Sequence, residues 1–402
     1  MRIAFVLSDL RLSGGLNAVL QHASRIAGKG SHQVFFFVRE VDDSQSRHPL
    51  LKDIKVVCYA DWPNYAVDIA VATYWETLLM LGEIPSAQYV WFCQSFEDRF
   101  FPDRNPNMST MQIAGSLPIP VIAVAHWISD LLGYQNPDRT VEVVLNGIDK
   151  EVFTEVNAPH SPGEGFSILI EGSLDELSKN TRFSLEGSLK SNLATKITHI
   201  GNRRFETNDP RYNFVENTLN SDGMAKMYRC HHIQVKASLV EGMFGPPLEG
   251  FHCGLPAVVT PVTGAEEYIV DNVNSVVVPW GDSHGLAWAL DSLARDRKMW
   301  KVLQDGARQT ARNWTGWKEQ AEAFEESLLR VATSSKLSQS DLSNLGRAIE
   351  YGNLMHWLAM RRLSDKSAGP AVMEAKTSGP VSTKRSVLGS AKRRLIGRKK
   401  TA

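Results

Sequence analysis

The chain of 402 residues is long enough for two domains of ordinary size, and its 43% content of hydrophobic residues is typical of a folded globular protein. The 44 basic and 44 acidic residues balance, which gives no indication of specific nucleic-acid binding. The four cysteines lack paired spacing and no apolar run approaches a signal peptide or a membrane span, so we expect a reduced, cytoplasmic protein without a disulfide framework or zinc ribbon.

Six short apolar runs alternate with helical patterns in the first part of the chain. Their continuous apolarity predicts strands buried on both faces, as in a parallel sheet covered by helices. The predicted strands are residues 3–7, 33–38, 54–59, 67–74, 89–93 and 120–125. Gly14 and Gly15 follow the first strand and precede a helical pattern, where a phosphate could approach backbone N–H groups. Their spacing is not G-x-G-x-x-G, which disfavours a nicotinamide site, and two glycines also make ordinary turns.

A second series of predicted strands follows a turn at Asn146-Gly147 and a segment rich in structure breakers at residues 157–165. These strands are residues 166–172, 197–201, 212–217, 233–237, 256–261 and 275–279. Two such series predict two doubly wound α/β domains, which we place at residues 1–148 and 149–315 with a hinge between them.

Two helical patterns at residues 316–365 and a flexible basic tail at residues 366–402 complete the chain. The tail carries eight cations and no acid over its last 20 residues, which leaves 36 basic against 44 acidic residues elsewhere. Four apolar residues are interleaved with these cations, a pattern suited to an anionic membrane surface. A disordered solubilising end, or one that binds nucleic acid nonspecifically, is the alternative interpretation.

The segment EGMFGPPLEGFHCG places two carboxylates, Glu241 and Glu249, around a predicted entry into a helix. The spacing predicts Glu241 in the loop after a strand and Glu249 in the first helical turn. Carboxylates accept hydrogen bonds from vicinal hydroxyls, and a helix N-terminus attracts phosphate, so the pair fits a ligand that carries both sugar and phosphate. The alternative is that Glu249 only complements the helix dipole and that Glu241 is solvated.

The segment from Ala237 to Pro279, with its E-x7-E spacing, resembles the signature region of retaining glycosyltransferases of the GT-B fold, glycosyltransferase family 4. The segment VVLNGIDKEVF, residues 143–153, is similar to that family's interdomain element. The resemblance covers roughly residues 1–330. It implies two doubly wound Rossmann-like domains that face each other across a cleft, the first on the acceptor side and the second on the donor side, with a C-terminal helical extension.

The resemblance also implies roles for single residues. Glu249 would bind the ribose hydroxyls of a nucleotide diphosphate sugar donor, and Glu241 would contact the transferred sugar. Backbone groups at three further positions would approach sugar and phosphate, and two glycines of the first domain would border the diphosphate: Phe244, Gly245, Pro246, Gly14 and Gly15.

The phosphate-binding cations depart from the family's pattern. An arginine and a lysine usually lie six residues apart after the first strand of the second domain. Here Lys179 matches the lysine, but Ser173 occupies the arginine position. Arg182 lies a few residues further on and is a candidate substitute, with a solvated helix residue as the alternative.

A second departure lies after the fifth predicted strand, where many relatives carry a histidine near the donor sugar. Gln94 occupies that loop here and could exchange hydrogen bonds with sugar hydroxyls. The neighbouring aromatic residues fit a hydrophobic core better than a binding site. His126 follows a strand end and could line the cleft, although nothing in its surroundings specifies a role.

These features predict a metal-independent, cofactor-free glycosyltransferase that moves a sugar to the hydroxyl of a glycan or lipid-linked acceptor. We expect retention of configuration and a role in cell-surface polysaccharide or glycolipid synthesis at the inner face of the membrane. Glu241 and Lys179 are the expected catalytic pair. The alternatives are a catalytically silent GT-B protein that binds partners, which would not turn over a donor, and a sugar-nucleotide epimerase, which would need no acceptor.

Overall fold

The computed structural model describes residues 1–11, 13–40, 49–52, 54–96, 99, 108–155 and 165–349. It contains two separate parallel β-sheets, each flanked by helices on both faces. The predicted basic tail, and the predicted last helix beyond residue 349, lie outside the described residues.

The first sheet occupies the N-terminal part of the chain. Its strands are β1 Arg2–Leu7, β2 Gln33–Val38, β3 Lys55–Cys58, β4 Val67–Ala72, β5 Ser86–Cys93, β6 Val121–Ala123 and β7 Val141–Val143, in the order β3-β2-β1-β4-β5-β6-β7. The helices are α1 Gly14–Gly28, α2 Trp75–Met80, α3 Met108–Ser116 and α4 His126–Gln135, with short 3-10 helices at Pro49–Leu51, Tyr59–Asn64 and Leu81–Glu83.

The second sheet has the same winding. Its strands are β8 Ser167–Glu171, β9 Lys196–Gly201, β10 Tyr212–Glu216, β11 Ile233–Lys236, β12 Ala257–Val259 and β13 Ser275–Val277, in the order β10-β9-β8-β11-β12-β13. The helices are α5 Thr181–Leu189, α6 Ser221–Arg229, α7 Gly245–His252, α8 Ser283–Arg295 and α9 Arg297–Asn313, with a 3-10 turn at Leu177–Lys179.

These sheets confirm the predicted fold class of two doubly wound α/β units. Every predicted strand has a counterpart, but β7 is missing from the prediction. Its three residues are all half-buried, so the chain shows no continuous apolar run there. Short strands at a sheet edge escape detection by apolarity for this reason.

Helix α10, Trp317–Ala332, returns from the second sheet to pack on the first. Phe324 stacks on His22 with 4.4 Å between ring centroids and meets the Phe92 ring edge-on at 4.9 Å. A further helix at residues 339–349 packs on Gly82, whose carbonyl accepts a hydrogen bond from Ser343 Oγ at 2.7 Å. Among the described helices, none is both long and apolar enough to span a bilayer.

Each sheet has one topological switch point, where the order of strands reverses. In the first sheet it lies between β1 and β4, and in the second between β8 and β11. Loops that leave the two strands diverge to opposite faces, which opens a crevice at the carboxyl ends of the strands. Any binding site is therefore expected at the loops after these four strands.

Candidate functional site

A buried ion pair closes the switch point of the second sheet. Glu171 is the last residue of β8 and Lys236 the last of β11, and Lys236 Nζ donates to Glu171 Oε2 at 2.5 Å and to Glu171 O at 3.0 Å. Lys236 is 2% exposed, so its charge depends on this partner. Burial alone would raise the pKa of Glu171, but the ammonium groups of Lys236 and Lys179 outweigh it and hold that pKa below its ordinary value.

The predicted catalytic pair, Lys179 and Glu241, meets beside this ion pair. Lys179 Nζ donates to both carboxylate oxygens of Glu241, at 3.0 and 2.9 Å, and Ser238 Oγ donates to Glu241 Oε1 at 2.8 Å. Burial disfavours the charged amine, but the carboxylates of Glu241 and Glu171 outweigh it and raise the pKa of Lys179. The ammonium group carries three N–H donors, and the third is available to a ligand after Glu241 takes two.

Glu249 lies in α7, shortly after Glu241 in the chain, and Tyr228 is its hydrogen-bond partner. Tyr228 Oη donates to Glu249 Oε2 at 2.9 Å. Burial raises the pKa of Glu249 to about 7 although the tyrosine hydroxyl acts in the opposite direction. The carboxyl group is therefore poised between its two protonation states near neutral pH.

The start of α7 corrects two expectations. The helix begins at Gly245, so Glu249 is its fifth residue and lies in the second turn rather than the first. Pro246 has no N–H group, and only Phe244 and Gly245 can donate from this end. The Phe244 side chain is fully buried in the core, whereas a side chain added at Gly245 would meet no atom within 4 Å. The open part of the helix end is thus Gly245.

The first domain contributes the N-terminus of α1 to the same region. Ser13 caps the helix, its Oγ accepting from the Leu16 N–H at 3.1 Å. The space beside Gly14 is open, and a Cβ at Gly15 would lie 3.4 Å from Gln94 Oε1. Gln94 Nε2 in turn donates to Thr73 O at 3.3 Å. The predicted residues Gly14, Gly15 and Gln94 are therefore neighbours at the switch point of the first sheet.

The two domains touch at Gly242, directly after Glu241. A Cβ at Gly242 would lie 1.8 Å from the backbone oxygen of Gln94, so this close approach requires glycine. Trp127 Nε1 donates to Gly242 O at 2.7 Å. The contact brings the Lys179–Glu241 pair next to the loop that carries Gln94.

A second interdomain contact involves His126, the first residue of α4. Glu267 accepts from the His126 backbone N–H at 2.6 Å and lies 2.8 Å from His126 Nδ1. Helix α4 has no cap of its own, because Ala125 precedes it, so Glu267 caps the helix from the other domain.

Two predicted residues have partners other than Lys179 and Glu241. Arg182 is 63% exposed, pairs with Glu186 at 3.5 Å and lies over the Phe205 ring at 5.4 Å from its centroid. Ser173 Oγ accepts from the Asp175 N–H at 3.1 Å. That Arg182 replaces the arginine expected at position 173 remains a prediction, since its present partners are Glu186 and Phe205.

The sequence analysis did not identify Glu171, Lys236, Tyr228 or Ser238. A signal for the first two was present, because each is a lone charge at the end of an otherwise uncharged strand. In the doubly wound order, the first and fourth strands are adjacent, so opposite charges at their ends should pair. Nothing comparable marks Tyr228, which approaches Glu249 from a different helix.

The site thus combines paired charges, hydroxyl groups and the accessible N-termini of α1 and α7. These groups lie where the switch points of the two sheets face each other. Such a surface can bind an anion through Lys179 and the amide groups, and hydroxyls through the carboxylates. Within the described residues, no group of three or more histidine, cysteine, aspartate or glutamate side chains is placed to hold a metal ion.

One known sequence family matches the part of the chain that contains these residues. Residues 160–296 match the sequence model of the family described as glycosyl transferases group 1, a segment that contains Lys179, Glu241 and Glu249. No curated protein matches the chain.

Several solved structures share the fold. HepE from Anabaena, solved in complex with UDP and glucose, is 14% identical with a TM-score of 0.67, and the match covers 82% of this chain and all of HepE. Sucrose-phosphate synthase from Thermosynechococcus elongatus matches with 14% identity and a TM-score of 0.67, over 83% of this chain and all of that one. WaaG, a glycosyltransferase involved in lipopolysaccharide biosynthesis, matches with 14% identity and a TM-score of 0.62, over 81% and 99% of the two chains. The chain therefore has the GT-B fold.

Proposed function

We propose that this protein transfers a sugar from a nucleotide diphosphate sugar to an acceptor hydroxyl. The observation that carries the proposal is the Lys179–Glu241 pair, which lies at the switch point of the second sheet and within the segment matched by the group 1 family. The Anabaena relative of the same fold was solved with UDP and glucose, which supports a nucleotide-sugar donor.

The proposed roles follow from charge and exposure. Lys179 neutralises the diphosphate with its remaining N–H donor, while Glu241 orients the transferred sugar. Glu249 accepts hydrogen bonds from the ribose hydroxyls in place of Tyr228. The open ends of α1 and α7, at Gly14 and Gly245, border the phosphates through their amide groups.

We further propose that the reaction retains the anomeric configuration and needs no metal ion or other cofactor. The acceptor hydroxyl attacks on the face from which the diphosphate departs, and a donor phosphate oxygen takes its proton. Lys179 and the helix ends stabilise the charge that develops on the leaving diphosphate, which is electrostatic catalysis by groups already in position. A test is the addition of a chelator, which should leave turnover unchanged.

The acceptor is proposed to be a glycan or a lipid-linked sugar, in the synthesis of a cell-surface polysaccharide or glycolipid. A neighbour of the same fold, WaaG, acts in lipopolysaccharide biosynthesis by its printed description. The basic tail would hold the protein at the anionic inner face of the membrane.

Nucleotide binding tests the proposal directly. A panel of nucleoside diphosphates is titrated by calorimetry against the wild type, Lys179→Ala and the control Lys190→Ala, an exposed lysine at the end of α5. A charge-assisted hydrogen bond contributes about 1.5–3 kcal/mol, so Lys179→Ala should weaken the preferred diphosphate roughly 10- to 150-fold. The matching nucleoside should bind both variants like the wild type.

Equal losses for diphosphate and nucleoside in Lys179→Ala would show that the substitution acts through folding and not through a bond to the diphosphate. Two further outcomes would contradict the proposed transfer itself. Binding without any hydrolysis or transfer would favour a silent partner-binding protein. Conversion of a donor sugar to its epimer without an acceptor would favour an epimerase.

A further inference from the structure

Two loops run side by side beyond the carboxyl ends of β11 and β12. The strands pair in parallel up to Lys236 and Val259, and hydroxyl groups link the loops that follow them. Thr260 Oγ1 donates to Ser238 O at 3.0 Å, and both residues are fully buried. The loop after β11 carries Glu241, so the loop after β12 is a candidate support for that residue.

Thr263, in the loop after β12, bonds both backbone groups of Glu241. Its Oγ1 accepts from the Glu241 N–H at 3.1 Å and donates to Glu241 O at 2.7 Å. A hydroxyl group can donate and accept at the same time, so one threonine makes both bonds, whereas a valine of nearly the same volume could make neither. Since Glu241 is 7% exposed, water has little access to replace these bonds.

The loop that carries Thr263 is anchored beyond that residue as well. Gly264 has a φ of +79°, and a Cβ there would lie 2.5 Å from Gly242 O, so the two loops could not lie this close with any other residue. Further along the same loop, Glu267 accepts from the His126 N–H of the first domain at 2.6 Å. The loop is therefore attached to the second sheet at one end and to the first domain at the other.

The orientation of the Glu241 carboxylate depends on the backbone that Thr263 holds. The carboxylate accepts from Lys179 Nζ at 3.0 and 2.9 Å and from Ser238 Oγ at 2.8 Å. Such bonds weaken steeply when their distances and angles change. Rotation of the peptide groups on either side of Glu241 would move its Cα–Cβ bond, and the carboxylate would move with it.

We propose that Thr263 is a positioning residue that holds the Glu241 carboxylate in the orientation required by Lys179 and by the transferred sugar. The role toward the sugar rests on the proposed transferase function, whereas the role toward Lys179 does not. Because Thr263 acts through Glu241, and Lys179 is the group proposed to bind the diphosphate, loss of the Thr263 hydroxyl should lower turnover more than it weakens nucleotide binding.

The test compares Thr263→Val, Thr263→Ala and Thr263→Ser with a matched control, Thr195→Val. Thr195 Oγ1 makes the same pair of bonds with Phe166, accepting from its N–H at 2.9 Å and donating to its O at 3.2 Å, but at the amino ends of β8 and β9. The first measurement needs no donor. It follows the exchange of the Lys179 ammonium protons with water, by ¹H–¹⁵N correlation of the lysine-labelled full-length protein, and Lys179→Arg identifies the resonance.

Thr263→Val and Thr263→Ala should exchange the Lys179 ammonium protons roughly fivefold faster or more, because the bonds to Glu241 are weakened by at least the equivalent of one hydrogen bond. Thr263→Ser, which keeps the hydroxyl group, and Thr195→Val should exchange them at the wild-type rate. Unchanged exchange in the two variants without a hydroxyl group, or the same acceleration in Thr195→Val, would overturn the proposal.

The second measurement is sugar release from nucleotide diphosphate sugars, with UDP-glucose and GDP-mannose as probes, together with the affinity for the matching diphosphate. Misplacement of about 1 Å can lower turnover about a hundredfold, so Thr263→Val should lose roughly ten- to hundredfold in turnover and stay within about threefold of the wild type in diphosphate affinity. Thr263→Ser should recover the turnover.

An equal fall in turnover and in diphosphate affinity, or a loss of turnover without faster exchange at Lys179, would contradict the positioning role of Thr263. If the wild type releases sugar from neither probe and binds neither diphosphate, the transferase function is overturned. The exchange at Lys179 would still decide whether Thr263 positions Glu241.

Discussion

Three titratable side chains, two half-buried and one fully buried, show how differently single residues are accommodated in this fold. Lys179 keeps its charge through two bonds to Glu241. Glu249 has one tyrosine hydroxyl as its hydrogen-bond partner, and its pKa rises to about 7. His22 lies between aromatic rings with both ring nitrogens unpartnered, and burial lowers its pKa to about 3. The first two belong to the proposed site, while the third lies in the core, where its unpartnered nitrogens destabilise the folded state.

His22→Phe should stabilise the first domain. The substitution keeps the stacking on Phe324 and removes two unsatisfied nitrogens, which should raise the free energy of unfolding by about 1–3 kcal/mol at pH 7. Between about pH 6.5 and pH 3 the unfolded chain binds a proton at His22 and the folded chain does not, so the stability of the wild type decreases as the pH is lowered through this range. The stabilisation by His22→Phe should therefore be roughly 2 kcal/mol larger at pH 5 than at pH 7. Urea unfolding at both pH values measures it, and an equal gain at both would contradict the assigned cause.

Glu249→Gln should change the dependence of stability on pH in the opposite sense. Glu249 keeps its proton up to about pH 7 in the folded state but loses it near pH 4.5 when unfolded, so its contribution is present below pH 4.5 and lost as the pH rises through 7. The difference in free energy of unfolding between Glu249→Gln and the wild type should therefore shift in favour of the variant by roughly 2–3 kcal/mol from pH 5 to pH 8. Thermal unfolding at the two pH values tests this, with the exposed Glu186→Gln as a control that should show no such change.

At the scale of elements, the site is assembled from helix starts and strand ends. Helices α1 and α7 begin directly after the loops of the two sheets, and each begins at a glycine. Helix α4 begins against the second domain, because Glu267 caps it. Since the cap of α4 and the close contact of Gly242 with Gln94 cross the cleft, the relative position of the domains depends on a few backbone groups.

Gly242→Ala should separate the two domains locally. The added methyl group would lie 1.8 Å from the Gln94 carbonyl oxygen, and the Trp127 bond to Gly242 O would be lost as the loops move apart. Misplacement of about 1 Å can lower turnover about a hundredfold, so we expect a ten- to hundredfold loss of transfer with little change in thermal stability.

The control is Gly133→Ala within α4, where an added methyl group meets no atom within 4 Å. It should retain wild-type turnover. An unchanged Trp127 indole resonance in Gly242→Ala, measured by ¹H–¹⁵N correlation, would show that the domains do not respond as described.

At the scale of the whole molecule, the part of the chain that the structure describes crosses between the domains twice. It passes once after β7 and once before α10, where Gly147 packs so closely on Trp317 that a Cβ would lie 2.5 Å from the Trp317 backbone nitrogen. The first domain is therefore completed by the end of the chain, through residues such as Phe324 and Leu342 in its core. Neither domain can be excised at a single point without exposing apolar surface.

Truncation after Asp365 should abolish membrane binding while leaving soluble transfer intact. The eight cations of the tail would each contribute about 1 kcal/mol near an anionic surface, against a remaining chain of net charge near −8. Vesicle sedimentation should show the full-length protein on anionic but not neutral vesicles, with release by salt. Equal sedimentation of both forms would exclude this role of the tail.

Local patterns alone identified much of this protein. Continuous apolar runs predicted the buried strands from β1 to β6 and from β8 to β13, and their repetition predicted two doubly wound domains. The segment from Glu241 to Glu249 was identified by residue types at a fixed spacing. Such features lie within a few residues of each other, so they can be read along the chain.

Only the tertiary structure decided which groups meet. Lys179 and Glu241 are 62 positions apart, and Lys236 and Glu171 are 65 apart, so their pairing depends on strand order and on the loops after the strands. Thr263, whose hydroxyl group bonds the backbone of Glu241, likewise looks like an ordinary loop residue in the sequence. Burial and hydrogen-bond partners are properties of the packed chain, because they depend on every element that reaches a side chain, whereas periodicity depends on one element alone.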